Sequence, residues 1–549
     1  MRIINVKEFG AVGDAETDDS EAIKKAAQSL QNDTTLYFPS GTYLVKQEGT
    51  LLVIEKLYDI KVVFDQDAVL LMDNLDSTGK GTGHAFYIKG PGENLLLSGI
   101  KVKWKVLPSS RSMGDGIMID GPCNETGPSS IYTFKHISIE NCSFENTPQT
   151  GMILMGCSNV AIKNITLKNT LADGVHLNAC QHYTINGISG ENVGDDNVAL
   201  VTYYKAASAS LYNKSSGPYA QDELGEWSNY KGSIDNINSN DNSGANGIRI
   251  AGAYHVNISN VKAQGKKAGI IIDAGKKGGT FHWEYQASKA ISVHNVTAEA
   301  CHVGIHVMSF NVNFEEARFW DFDVSLNNIQ IANCKHDNFL IEKCSGISCN
   351  NVDSHGKRCR MINLNNFSLT NLISHRGSVI VHGLSVLAQK AGSSVMPESN
   401  ISIDSLSVHE GNIQIENAKG VDVNYLYTYK SSKDNGLVFH NLQQAQFSTI
   451  ISKFAGSRGI LISNCQHISV MSAFIESERQ KFTSIEIGGG NQASISDDIS
   501  IITAAYKSDS NQNDVVLQKG KVGPKNISIN LSYTTNKKQQ KWKHFKLNP

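Results

Sequence analysis

Short segments in which apolar and polar residues alternate recur along most of the chain. Each alternates with period two, so a strand formed there has one inward and one outward face. Ile139, Ile162 and Ile185 are spaced 23 residues apart, and Ile403 and Val423 are 20 apart. The segments include residues 136–141, 160–164, 183–186, 256–260, 291–295, 329–333, 367–371, 401–403, 421–423, 468–470, 499–501 and 527–529.

This repeat is too short to contain the crossover helix of an ordinary parallel sheet. It is long enough to close one coil of a solenoid in which equivalent strands stack on one another. β-Branched residues dominate the repeats and a leucine-rich signature is absent, which favours strands over a leucine-rich horseshoe. The pattern therefore predicts an all-β parallel β-helix.

Asparagine follows the central apolar residue by two positions in several repeats. It tolerates the left-handed backbone conformation and bonds to nearby backbone. We expect a structural ladder of stacked asparagines, with no catalytic role, at Asn141, Asn164, Asn260, Asn295, Asn333 and Asn371.

The first residues have a different pattern. A helix is predicted over about residues 20–30 with Ser20 as its N-cap, and a solenoid end needs a cap over its open core. The predicted organisation is a capping segment at 1–45, a β-helix at 46–535 with inserted loops at 202–231, 276–288 and 308–322, and a basic tail at 536–549. The tail has no heptads that would form a coiled-coil trimer.

The segment from Asn5 to Val45 resembles the entry motif of the pectate-lyase-like β-helix superfamily, "FGAxGDGxTDD…AI…FPxGTY". Ala15 stands where that motif usually has glycine. The resemblance implies a right-handed parallel β-helix with an N-terminal α-helical cap. The superfamily includes polygalacturonases and phage tailspike depolymerases, so the motif indicates the fold more strongly than the function.

Composition and charge exclude several classes of function. The net charge is −2, which lacks the basic excess of a nucleic-acid binder. No apolar stretch is long enough to span a bilayer, and the first residues lack a signal-peptide pattern. The compartment is left open. The 10 cysteines include no CxxC pair or zinc-site spacing, so we expect buried free thiols.

The strongest candidate chemistry is carried by three aspartates. Asp173 and Asp195 are 22 residues apart, about one coil, and Asp196 follows directly. Stacked strands lie about 4.8 Å apart, so the three carboxylates should share one patch of surface. We expect one of them to hold a proton near neutral pH. An acid beside a base is what glycoside hydrolysis requires. The alternative is that these Asp-Gly and Gly-Asp-Asp sequences only form turns.

The sequence "ADGVHL…GDDNVAL" resembles the "NTDG…(G/Q)DDCxA" segment of polygalacturonases and the "ADG…GDDGxA" segment of β-helical α-1,3-glucanases. That resemblance implies catalytic roles for Asp173, Asp195 and Asp196. The "GHG" and "RIK" elements of polygalacturonases are absent from residues 245–250 and 268–273. Because the Arg/Lys pair binds a uronate carboxylate in that family, its loss argues against polygalacturonate as the substrate.

The inserted loops carry aromatic residues that suit stacking on sugar rings, although the same rings could pack the loops onto the helix. His176 and Arg249 alternate with apolar neighbours and are expected to point outward. The predicted substrate-binding residues are His176, Tyr203, Tyr204, Trp227, Asn246, Arg249, Trp283 and His306.

The predicted function is an inverting, polysaccharide-degrading glycoside hydrolase without a cofactor or metal, acting as a monomer or homotrimer. Two alternatives stay open. One is a lyase or epimerase acting on a uronic-acid glycan, for which the acidic residues could bind calcium. The other is a noncatalytic glycan-binding spike.

Overall fold

The chain was analysed as a computed structural model, which describes residues 2–121, 134–202, 229–240, 245–274, 277–278, 283–284, 288–310, 320–384, 396–431, 435–477, 482–488, 496–508, 515–518, 524–534 and 541–547. Two compact units are present. The first comprises Met1–Cys301 with Ser309–Trp320, and the second comprises His302–Met308 with Asp321–Pro549.

The described part of the chain is nearly all β, as predicted. The strands up to residue 299 are β1 (Arg2–Asn5), β2 (Asp14–Asp18), β3 (Thr34–Phe38), β4 (Gly41–Val45), β5 (Leu52–Glu55), β6 (Tyr58–Phe64), β7 (Ala68–Met72), β8 (Phe86–Lys89), β9 (Gly92–Ser98), β10 (Lys101–Trp104), β11 (Ile117–Asp120), β12 (Phe134–Glu145), β13 (Met152–Met155), β14 (Cys157–Lys168), β15 (Val175–Asn178), β16 (Gln181–Glu191), β17 (Val198–Val201), β18 (Asn229–Asn240), β19 (Ile248–Ala251), β20 (Ala253–Gln264), β21 (Ala268–Ala274), β22 (Lys277–Gly278), β23 (Trp283–Glu284) and β24 (Lys289–Glu299).

Fifteen further strands are described after residue 299. They are β25 (Val303–Ser309), β26 (Asp321–Ala332), β27 (Asp337–His355), β28 (Arg358–His375), β29 (Val379–Gly383), β30 (Ile401–His409), β31 (Ile413–Tyr429), β32 (Leu437–Lys453), β33 (Arg458–Ser463), β34 (Gln466–Ser477), β35 (Thr483–Gly488), β36 (Asp497–Ser508), β37 (Val515–Gln518), β38 (Lys525–Thr534) and β39 (Lys541–Leu547).

In the first unit a long and a short strand alternate along the chain, and each pairs in parallel with its equivalent one coil later. The long strands β12, β14, β16, β18, β20 and β24 stack in that order, as do the short strands β11, β13, β15, β17, β19 and β21. Ile139, Ile162 and Ile185 are direct register partners and are buried. The predicted coil repeat is therefore confirmed, and each buried isoleucine contributes about 1.5–3 kcal/mol to stability.

The second unit repeats this parallel pairing through β27, β28, β30, β31, β32, β34, β36 and β38. Ile403 and Val423 are register partners, as their 20-residue spacing predicts. Within the predicted tail, β39 pairs antiparallel with β38. Of the ten cysteines, the nine that the structure describes are free and buried, as predicted.

The predicted asparagine ladder is present. Asn164 donates from Nδ2 to Oδ1 of Asn141 at 3.0 Å, and Asn295 donates to Asn260 at 3.2 Å. Both partners in each pair have a left-handed backbone. Asn371 shares the side-chain bond, to Asn351 at 3.4 Å, but is not left-handed, so that part of the prediction is wrong there.

The N-terminal segment contains a 3-10 helix at Val6–Phe9 and the α-helix α1 at Ser20–Gln28. Ser20 is the first residue of α1 and Asp19 is its N-cap, one residue before the predicted cap. Helix α1 packs against the 3-10 helix and β5. Its capping role and the hand of the coil stay predictions. Ala15, in the usual glycine position, has φ of 67°, which explains why glycine is preferred there. No helix in the described residues is both long and apolar enough to cross a membrane.

Candidate active site

The three predicted aspartates lie in equivalent turns of adjacent coils. Asp173 precedes β15, and Asp195 and Asp196 precede β17. The Gly174 amide donates to the carbonyl oxygen of Asp196 at 2.8 Å, and the Asp196 amide donates to Asp173 Oδ1 at 3.0 Å. One carboxylate oxygen from each of the three residues lies within 4.8 Å of the other two. The coil spacing thus brings the three side chains together.

Gly174 explains why this turn has the sequence Asp-Gly. A Cβ atom at this position would lie 2.5 Å from the carbonyl oxygen of Asn197 and 2.4 Å from the Leu167 side chain. The close approach of the two coils therefore requires glycine. It also fixes the backbone on which the Asp173 carboxylate is carried.

Each carboxylate has a different partner. His176 donates from Nδ1 to Asp173 Oδ2 at 2.7 Å. The side-chain amide of Asn246 donates to Asp196 Oδ1 at 2.7 Å. Arg111 donates to Asp195 Oδ2 at 2.9 Å. The predicted residues His176 and Asn246 are thus brought into the aspartate cluster.

The surroundings separate the pKa values of the three acids. Burial and the neighbouring Asp173 charge raise the pKa of Asp196 to about 8. Burial and the Asp173 charge also raise the pKa of Asp195. Burial alone would raise the pKa of Asp173, but the hydrogen bond and charge of His176 lower it below its usual value. The site therefore holds a proton on Asp196 at neutral pH, in line with the predicted split.

The three acids also differ in exposure. Asp173 and Asp196 are buried, whereas the Asp195 side chain is 43% exposed. His176 alternates with the inward residues Val175 and Leu177 as predicted, but it is buried against Asp173 and not solvated. Asp195 is thus the carboxylate of the three that solvent or a ligand reaches most easily.

Arg111 is a site residue that sequence reasoning missed. It precedes Asp195 by 84 residues and also donates to the Gln149 side chain at 3.0 Å. Its surrounding sequence, Pro108–Asp115, carries no motif, so nothing along the chain marks it. The coil stacking alone places its guanidinium beside the acids.

Arg249 is the second cation near the cluster. It lies between the buried residues Ile248 and Ile250 and points away from the core, as predicted. Its guanidinium donates to the buried Asp273 at 2.9 Å, and its charge partly offsets the rise in pKa that burial and Asp173 cause at Asp195 and Asp196. The absence of an "RIK" element therefore does not leave the acids without basic neighbours.

Five further predicted substrate-binding residues lie outside what the structure describes at this site. Tyr203, Tyr204 and Trp227 lie outside the described residues. The backbone of Trp283 forms part of β23, and its side chain lies outside the described part of the chain. His306 belongs to the second unit, where its Nε2 is 3.0 Å from Glu342.

In two clusters of the described residues, three potential metal-ligand atoms lie within 4.8 Å of one another. One is Asp173, Asp195 and Asp196, and the other is Asp353, His355 and His375 in the second unit. Carboxylate oxygens suit Ca²⁺, which takes six to eight oxygen ligands. Three carboxylates, each binding through one or both oxygens, would supply about three to six of these ligands, with the rest left to water or substrate.

The N-terminal segment is similar to a known protein family. Residues 3–53 match the family model described as "Rhamnogalacturonase A/epimerase, pectate lyase-like". The predicted resemblance to the pectate-lyase-like superfamily is confirmed. The chain is also 34% identical over 79 residues to Alginate lyase 7 of Azotobacter vinelandii, a match that covers 13% of this chain and 9% of that lyase. The chain therefore aligns with less than a tenth of that relative.

Solved structures with a similar chain fold include a bacteriophage protein and two enzymes. The N-terminal fragment of bacteriophage phi29 gene product 12 is 13% identical with a TM-score of 0.43, covering 97% of this chain and 93% of that chain. The exopolygalacturonase of Thermotoga maritima is 12% identical with a TM-score of 0.32, covering 100% and 95%. A catalytic domain of GH87 α-1,3-glucanase is 13% identical with a TM-score of 0.38, covering 81% and 64%. Likenesses at this level do not support a functional argument.

Proposed function

We propose that this chain degrades a polysaccharide by glycoside hydrolysis at Asp173, Asp195 and Asp196. The observation that carries the proposal is the meeting of three carboxylates within 4.8 Å with pKa values shifted in opposite directions. Hydrolysis of a glycosidic bond needs one carboxyl group that holds a proton and another that is ionised. The confirmed resemblance of residues 3–53 supports a carbohydrate as the substrate class.

Exposure and charge suggest the role of each acid. Asp195 is open to solvent and has a raised pKa, so it is positioned to donate a proton to the leaving oxygen. Asp173 has a lowered pKa and is ionised, so its carboxylate carries the negative charge that can activate water, while Asp196 beside it stays protonated. His176 acts as a positioning residue, because it holds the Asp173 carboxylate in place and keeps its pKa low.

The test is the replacement Asp195→Asn, assayed by release of reducing ends from a panel of neutral and acidic polysaccharides. Loss of a general acid should lower the rate by about 10²–10⁴-fold. Asp115→Asn is the matched control. Asp115 occupies the equivalent turn of an earlier coil, accepts the Thr150 amide at 2.9 Å and pairs with His84 at 2.9 Å, so its replacement reports the loss of structural contacts in such a turn. Equal activity of D195N and the parent on every cleaved glycan would contradict the proposal.

Product stereochemistry addresses the predicted inverting outcome. Carboxyl groups of inverting enzymes are about 6.5–9.5 Å apart and those of retaining enzymes about 5–5.5 Å. The 4.8 Å limit here joins the closest oxygens rather than the carboxyl groups. The anomer formed first, followed by NMR, therefore decides between the two.

A uronic-acid lyase or epimerase is the second candidate function. It is favoured by Arg111, which lies 2.9 Å from Asp195, and by Arg249, since such chemistry needs a cation to neutralise the uronate carboxylate. A lyase product carries a double bond and absorbs ultraviolet light, whereas a hydrolase product does not. Ultraviolet absorption that grows with reducing ends would replace the hydrolase proposal with this one.

The third candidate function is noncatalytic glycan binding. It predicts that no polysaccharide in the panel yields new ends. It also predicts that D195N, D196N and the parent bind the same glycan with equal affinity. A glycan microarray with the three proteins separates this outcome from failure to find the substrate.

A further inference from the structure

The second unit carries a histidine column on its outer surface that the proposed function does not use. His355 ends β27, His375 ends β28 and His409 ends β30, and the three are register partners in successive coils. The rings of His355 and His375 are nearly parallel at 11°, with centroids 4.3 Å apart. Asp353 lies two residues before His355 on the same strand, and therefore on the same face.

The Asp353 carboxylate faces both of these rings. Its Oδ1 atom is 3.0 Å from Nε2 of His355 and 3.6 Å from Nε2 of His375. One ligand atom from each of the three residues lies within 4.8 Å of the others. Tetrahedral zinc with bonds of about 2.0–2.1 Å requires ligand atoms about 3.4 Å apart, so small side-chain rotations would complete such a set.

The contacts are not those of an ordinary hydrogen-bonded ion pair. Asp353 Oδ1 is buried from solvent, yet it accepts no hydrogen bond from any residue that the structure describes. Two imidazole nitrogens therefore converge on one carboxylate oxygen without a suitably directed proton.

We propose that Asp353, His355 and His375 form a binding site for a divalent transition metal such as Zn²⁺, with water completing the coordination. Imidazole together with a carboxylate favours this class of ion over Ca²⁺ or Mg²⁺, which prefer oxygen-only sets. Because the ligands come from two adjacent strands, the bound ion would join β27 to β28. The proposal does not depend on the proposed hydrolase activity.

The test is titration of the metal-free full-length protein with Zn²⁺ by calorimetry, together with visible absorption of the Co²⁺ form. We expect saturable binding, Co²⁺ bands typical of nitrogen and oxygen ligands, and a rise in melting temperature with Zn²⁺. His355→Ala and His375→Ala should each weaken this binding by at least about 10-fold and remove the rise in melting temperature. Asp353→Asn, which preserves side-chain size, should also weaken it.

His467→Ala is the matched control. His467 is an exposed histidine paired with a single carboxylate, Asp498, at 2.8 Å, so it has the ion pair without the second imidazole. Its replacement should leave Zn²⁺ binding unchanged. The Asp195→Asn variant reports any ion held by the acids of the first unit. Absence of saturable Zn²⁺ binding would overturn the proposal. So would unchanged binding in folded H355A and H375A proteins, as judged by circular dichroism.

Discussion

At the scale of single residues, Asp173, Asp195 and Asp196 are the same side chain in three surroundings. Asp173 is ionised because His176 compensates for its burial, whereas Asp196 is protonated because burial and the Asp173 charge raise its pKa to about 8. Asp195 differs again, because it reaches solvent and meets Arg111. The different surroundings of three aspartates in two adjacent turns thus give them different pKa values and different chemical roles.

Asp196→Asn should separate activity from stability. The folded pKa of Asp196, about 8, lies above its unfolded value. Below about pH 4 the carboxyl is protonated in both states and costs nothing. As the pH rises towards 8 the unfolded state ionises first, so the native protein loses stability. The amide removes this loss and keeps the acceptor for Asn246. At pH 8 we expect the free energy of unfolding of D196N to exceed that of the parent by about 1–3 kcal/mol, measured by chemical denaturation. Polysaccharide cleavage by D196N should fall steeply.

The pH series supplies its own check. The difference between D196N and the parent should shrink as the pH falls towards 4. Asp67→Asn, at an exposed carboxylate, should show no such trend. A difference that is equal at pH 4 and pH 8 would contradict the assignment of a raised pKa to Asp196.

At the scale of elements, the site depends on strand register. Side chains alternate across a strand, so a slip of one residue would exchange the faces of β15 or β17. The buried isoleucines fix the register on the inside, and the asparagine ladder marks the turn on the outside. The acids occupy the turns that precede the short strands, where Gly174 lies close to the backbone of the adjacent coil and donates to the Asp196 carbonyl oxygen.

The ladder yields a prediction with paired substitutions at Asn164. This residue has φ of 56° and donates to Asn141 at 3.0 Å. Asn164→Ala loses the hydrogen bond and places alanine in the left-handed region, at a cost of about 2 kcal/mol. Asn164→Gly loses the bond but tolerates the backbone, so it should cost less. Chemical unfolding of both variants measures the difference, and equal losses would show that the side-chain bond accounts for the effect.

At the scale of the whole molecule, coils contact mainly their sequence neighbours, so stability should be local. Phe447 is buried and stacks on Phe439 with centroids 4.3 Å apart in the second unit. Phe447→Ala should cost about 3–5 kcal/mol of local stability. We expect hydrogen exchange to increase in β31, β32 and β34, with protection of β15 and β17 unchanged.

Ile258→Ala is the reciprocal control, because Ile258 is buried at the centre of β20 in the first unit. Its effect should be confined to β18, β20 and β24. If either substitution lowered protection evenly along the chain, the molecule would unfold as one cooperative body, and the local description would be wrong.

The sequence by itself determined the coil repeat, the inward positions of Ile139, Ile162 and Ile185, the left-handed asparagines and the adjacency of Asp173 to Asp195 and Asp196. These features follow from period-two alternation and a fixed spacing, which are local properties of the chain. Tertiary structure decided the rest. Arg111 reaches Asp195 across 84 residues, His176 is buried although its pattern pointed outward, and the Asp353 oxygen meets two histidines from adjacent coils. Such contacts depend on which turns the stacking brings together, and the burial of a residue depends on all the side chains that pack around it. Neither can be predicted from a local sequence pattern.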